Sequence, residues 1–136
     1  MTTYTIRQKE AKELRATSCR KLLGAEVINL QEKKLGEVRD IAIDSATGRI
    51  AYVVLSYSYL LGMRGKSFAI PWEAFAFRNR EGFVTGKDRT MILNIPKEAI
   101  EESEGFDDEH WPKEPDYEWL ERIYNHYGFR PYWERQ

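Results

Sequence analysis

His110 closes an acidic run, Asp107-Asp108-Glu109-His110, and His126 is the second of the chain's two histidines. Imidazoles among carboxylates are the residue types that hold zinc or calcium, or that move a proton. The spacing matches neither an HExxH helix nor an EF-hand loop. A solvated acidic loop explains the run equally well, and a histidine near a helix C-terminus is favoured by the macrodipole. The reading is therefore no metal and no cofactor. Cys19 is the single cysteine, which excludes an intramolecular disulfide and suits a reducing compartment. Arg20, Lys21 and a helix start beside Cys19 would favour its thiolate, but no histidine stands near it in sequence to act as a base. A buried, inert thiol is the expectation. With no glycine-rich phosphate loop and no GxSxG, the chain is read as no enzyme.

Charge points to partners rather than to chemistry. The net charge is −1, yet residues 1–21 hold six basic side chains against two acids, Glu10 and Glu13. Residues 98–121 hold eleven acids against one base, Lys113. A basic arm could seek nucleic acid, but such binders carry a net basic domain, and the aromatic residues here cluster in the acidic region. The arm is better matched to the acidic segment of its own chain or of a twin. The N-terminus has no apolar core region of a signal peptide, and no run is long enough to span a bilayer, so the expected location is cytoplasmic.

What must position these residues is β structure. At 136 residues, one domain with a real core is expected. From Leu35 to Trp72 the sequence reads as a β-meander. Its longest strand, Arg49–Ser58, puts Ile50, Tyr52 and Val54 on one face and Ala51, Val53, Leu55 and Tyr57 on the other. A strand apolar on both sides cannot lie at the surface of a lone open sheet, so the sheet must be closed or covered. In the preceding strand, Leu35–Asp44, a bulge near Arg39–Asp40 would bring Val38, Ile41 and Ile43 to one side. The turn Ser45-Ala46-Thr47-Gly48 suits a hairpin with Gly48 left-handed. Short strands are expected at Ala25–Asn29, Lys66–Ile70, Phe75–Arg78 and Met91–Ile95, with a helical turn at Trp72–Ala74. Helices are expected at Cys19–Leu23, Pro96–Ser103 and Pro115–Tyr127; in the last, Leu120, Ile123, Tyr124 and Tyr127 make one apolar stripe.

Several of these pieces, taken in order, resemble the PRC-barrel family. This is the small barrel shared by the photosynthetic reaction-centre H subunit and a ribosome-maturation factor. They are Leu23-Gly24, Leu35-Gly36-Glu37-Val38 with Asp40, Ile43-Asp44 and the run Thr47-Gly48-Arg49-Ile50-Ala51-Tyr52-Val53-Val54. Leu61-Gly62, Ala69-Ile70-Pro71-Trp72, Trp111-Pro112 and Tyr127-Gly128 with Arg130-Pro131-Tyr132-Trp133 continue the likeness. The ending resembles the tail of free-standing bacterial members, and with no membrane span or second barrel ahead of the barrel, neither a reaction-centre H subunit nor a complete ribosome-maturation factor is expected. The resemblance implies an adaptor or assembly domain.

The expected fold is mainly β: a small PRC-type barrel over residues 18–96, a charged arm over 1–17, and a helical, aromatic-rich extension over 97–136. The expected function is protein binding, with homodimerisation, nucleic acid being disfavoured and no membrane insertion. The loop Tyr57–Gly65 is unusually apolar, and tyrosine, methionine and arginine are enriched at interfaces. Tyr57, Tyr59, Leu60, Leu61, Met63, Arg64, Trp119, Tyr132 and Trp133 are thus the candidate partner surface. The same loop could instead plug one barrel end, and the tail aromatics could pack on the chain itself. An RNA- or ribosome-associated protein and a metal-dependent enzyme are the competing readings.

Overall fold

The strand expected to be apolar on both faces sets the architecture. The computed structural model describes residues 16–57, 65–77, 90–107, 109–112 and 115–134. In chain order the elements are α1 (Cys19–Leu22), β1 (Glu26–Ile28), β2 (Lys34–Asp44), β3 (Arg49–Tyr57) and β4 (Lys66–Ile70). A 3-10 turn (Trp72–Ala74), β5 (Phe75–Phe77), β6 (Thr90–Leu93), α2 (Lys97–Glu101) and β7 (Gly105–Phe106) follow. The chain then forms α3 (Tyr117–His126) and a second 3-10 turn (Tyr132–Glu134). The expected arm over residues 1–17 lies almost wholly outside the described residues.

All seven strands join one sheet in the order β5-β6-β1-β2-β3-β4-β7. Pairing is antiparallel except between β1 and β6, which run parallel. The barrel expected from sequence is not closed by backbone pairing: among the described residues β5 and β7 are the two ends of the order. The sheet instead coils around a core. Val27, Leu35, Val38, Val53, Leu55, Phe68, Ile70, Phe75, Met91 and Leu93, from six strands, all pack in one buried cluster, and Ile100 of α2 joins it. A flat sheet could not bring six strands to a single cluster.

Two bulges decide which side chains enter it. Val38 pairs with Leu55 and Asp40 with Val54, so Arg39 is the extra residue of β2, where the sequence placed a bulge. Val38 and Ile41 accordingly both pack inward, whereas Ile43, opposite Ile50 and expected on the same side, is half-exposed and stands outside the inner cluster. The second bulge was not foreseen. Ala42 pairs with Tyr52 and Ile43 with Ile50, which leaves Ala51 without a partner on β2. Strict alternation therefore fails at Ala51. Ile50 joins Val53, Leu55 and Tyr57 inside, while Ala51 joins Tyr52 and Val54 on the outer face. Gly36 permits the hairpin to close, because a Cβ there would collide with the carbonyl oxygen of Ser56. Gly48 takes the expected left-handed conformation, φ 78°.

The outer face of β3 and β4 carries a second core. Ala51, Val54 and Ala69 are buried beneath Leu120, Ile123 and Tyr124 of α3, with Phe106 and Tyr132 completing the cluster. α3 starts where Asp116 caps it, its carboxylate accepting the Trp119 N–H at 2.9 Å. Leu120, Ile123 and Tyr124 then fall at the spacing that faces one side. Fully burying each such side chain contributes about 1.5–3 kcal/mol, so the apolar stripe outweighs the single cap in holding α3 down. A bulge interrupts ladder pairing, and here the Tyr124 hydroxyl donates to the buried Ala51 carbonyl at 2.8 Å. Tyr124→Phe should cost about 1–3 kcal/mol in urea unfolding, because that oxygen loses its phenolic donor inside the core.

Candidate interaction surface

At the tip of the β2–β3 hairpin the chain reverses over Asp44, whose carbonyl accepts from Thr47 N–H at 3.2 Å and Gly48 N–H at 2.7 Å. The Asp44 carboxylate is the more consequential group. Its Oδ1 accepts from Ala46 N–H at 2.9 Å, and its Oδ2 accepts from the hydroxyls of Tyr132 at 2.6 Å and Tyr117 at 2.8 Å. These donors favour the ionised form: Tyr132 first, then Tyr117, hold the carboxyl below the usual aspartate range. Burial, and then Asp44 itself, push the Tyr132 hydroxyl up. Arg49, opposite Asp44 on β3, lies over the Tyr132 ring at 5.4 Å. One carboxylate thus ties the hairpin to α3 and to the tail.

Beside this tie lies a cleft of about 350 Å³ between the hairpin and the start of α3. Its walls include Ala42, Ile43, Tyr52, Tyr117 and Leu120, with Asp44 and Asp116 at the polar positions. Ile43 is 50% exposed and Tyr117 47% exposed, so both walls present apolar surface to solvent. A second cleft, of about 430 Å³, runs between the β1–β2 turn and the start of α2, past Asn29, Leu30, Lys33, Asn94, Pro96 and Glu98. There the Asn29 side chain is already committed, accepting from Gln31 N–H and Lys33 N–H at 2.9 Å each.

The surface expected from sequence is only partly where it was placed. Tyr57 is 1% exposed and Tyr132 2% exposed, so both side chains are packed inside this chain. Tyr57 packs edge-on to Phe68 in the inner cluster, and burial followed by the charges of Glu101 and Glu98 pushes its hydroxyl up to about 12. Trp119 and Trp133 are half-buried on the outer cluster, Trp119 edge-on to Tyr52 at 5.3 Å and Trp133 against Tyr117 at 4.7 Å. Tyr59, Leu60, Leu61, Met63 and Arg64 lie outside the described residues. Sequence reasoning missed Ile43, Asp44 and Tyr117 as a group. Asp44 directly before a four-residue turn and Tyr117 directly after a capping aspartate were the available signals, but nothing in the sequence paired them.

Each of the two histidines first considered for chemistry makes a side-chain contact. His110 Nδ1 meets Asp107 Oδ1 at 2.6 Å on the surface, and His126 Nε2 donates to the Ala99 carbonyl at 2.6 Å, joining α3 to α2. Cys19 is exposed on α1 rather than buried, because Leu22 is the side chain α1 turns inward. Among the described residues no three His, Cys, Asp or Glu side chains are grouped to hold a metal. None of the helices among those residues is long and apolar enough to cross a membrane.

A family model for the PRC-barrel domain matches residues 16–100. The chain belongs to the PRC-barrel domain family. A comparison with curated proteins found no match. The match ends inside α2, so β7, α3 and the tail follow the family's matched region. The cleft therefore has one wall from within the matched PRC-barrel stretch, at Ala42–Asp44, and the other from beyond it, at Asp116–Leu120.

Asp44 makes this junction sensitive to acid. A carboxyl whose pKa is lower folded than unfolded stabilises the fold fully above its unfolded value, and that contribution is lost as pH falls through the folded one. Between about pH 5 and pH 2 the PRC-barrel chain should lose melting temperature as Asp44 protonates. Asp44→Asn should lower the melting temperature at neutral pH and flatten that acid limb; equal acid slopes in the two proteins would show that the tie contributes nothing.

Proposed function

We propose that this PRC-barrel protein is a non-enzymatic assembly module of the cytoplasm that binds protein, and that it self-associates through the cleft between the β2–β3 hairpin and α3. The observation that carries this reading is the half-exposure of Ile43 and Tyr117 on facing walls of one cleft. The inner cluster is filled without either side chain, and an apolar pair left at a groove mouth is the kind of surface that partners cover. Membership of the PRC-barrel family fits a protein-interaction module.

A two-fold dimer would bury Ile43 twice, once per copy. Ile43→Ser should therefore raise the dimer dissociation constant about tenfold in sedimentation equilibrium while leaving the melting temperature nearly unchanged. A monomer mass for the unsubstituted chain at every concentration would reject self-association.

A further inference from the structure

The cleft asks for an occupant with apolar side chains and positive charge. Its walls are Ile43, Tyr52 and Tyr117, and the carboxylates of Asp44 and Asp116 line it. The charge of Asp40 is also felt at the Tyr52 hydroxyl. Arg49 is stacked over Tyr132. Asp116 belongs to a stretch, residues 98–121, with eleven acids to one base.

The chain carries a complement to this surface. Ahead of Ala16 the sequence holds Tyr4-Thr5-Ile6-Arg7-Gln8-Lys9, two apolar side chains two residues apart followed by two cations two residues apart. Tyr4 and Ile6 match the apolar walls of the cleft in type, and Arg7 and Lys9 are opposite in charge to the Asp44 and Asp116 carboxylates that line it. Extended chain spans up to about 3.5 Å per residue, so the ten residue steps from Ile6 to Ala16 can cover about 35 Å. That exceeds the radius of gyration of a domain this size, about 14 Å, and suffices to cross from one molecule to its neighbour.

We propose that residues 4–9 of a second copy occupy the cleft, each copy giving one segment and receiving one. This rests on the self-association reading above and names what makes the contact. Reciprocal exchange closes on itself as a two-fold dimer and leaves no open end for filaments. Part of the attraction is between exposed charges, so it weakens with added salt.

The test uses the full chain, a variant lacking residues 2–9, and a synthetic peptide of residues 1–12. The deletion variant is expected to be monomeric in sedimentation equilibrium with an unchanged melting temperature. In ¹⁵N–¹H spectra the peptide should then shift the amides of Ala42, Ile43, Asp44 and Tyr117. Tyr4→Ser with Ile6→Ser in the peptide should weaken binding about tenfold or more, as should Ile43→Ser in the receiving chain. A deletion variant that stays dimeric, yet dissociates more readily with Ile43→Ser, overturns this inference and leaves the self-association reading standing. Cleft amides that move on deletion while the mass of the full chain is that of a monomer overturn both, and place the segment on its own molecule. Peptide-induced shifts confined to the second cleft, at Asn29–Lys33, also overturn the inference.

Discussion

Water must be kept from both faces of β3, and most of the structure follows from that constraint. Val53, Leu55 and Tyr57 point one way and Tyr52 and Val54 the other, so one sheet alone cannot shield them. The inner side is shielded by coiling: six strands turn their apolar residues toward a common core. The outer side is shielded by α3 and the tail, which bring Leu120, Ile123, Tyr124 and Tyr132 onto Ala51, Val54 and Ala69. The C-terminal segment is thus a wall of the molecule rather than an appendage, although it lies past the region the family model matches.

The bulge at Ala51 links these two layers. It changes which residues of β3 face inward, and it leaves a backbone carbonyl that α3 satisfies through Tyr124. Near the hairpin tip, Asp44 serves the same junction with a charged acceptor, joined by Tyr117 and Tyr132. Buried hydroxyls and partly exposed carboxylates play different parts here. The Tyr124 bond is costly to break because it is dry, whereas the Asp44 tie is more exposed to solvent and responds to pH. The cleft opens where this second, looser tie holds the two halves together.

Much of this was legible from residue order. Apolar runs located β2, β3 and β4, the SATG turn located the hairpin, and the spacing of Leu120, Ile123 and Tyr124 gave α3 its buried face. Family likeness from Leu23 onward was equally readable. The second bulge was not, since one residue unpaired in β3 is fixed by its neighbour strand and leaves no mark on alternation until the register is known. The parallel pairing of β1 with β6 and the two-residue strand β7 were hidden for the same reason: they are long-range choices made by short segments. Tyr57 and Tyr132 were read as contact residues from their type alone. Both are buried in this chain, since a large aromatic fills an interior as well as it fills an interface. Asp44 escaped notice because a turn aspartate is ordinary; its two phenolic donors come from 73 and 88 residues away.

If α3 is a structural wall, it cannot open while β3 stays closed. Native-state hydrogen exchange in dilute denaturant measures this directly, residue by residue. The amides of Val53 to Leu55 and those of Leu120 to Tyr124 should share one opening free energy, equal to that of global unfolding. Exchange of the α3 amides at a much lower free energy, with β3 still fully protected, would show that the helix is a detachable cover and contradict the dependence described above.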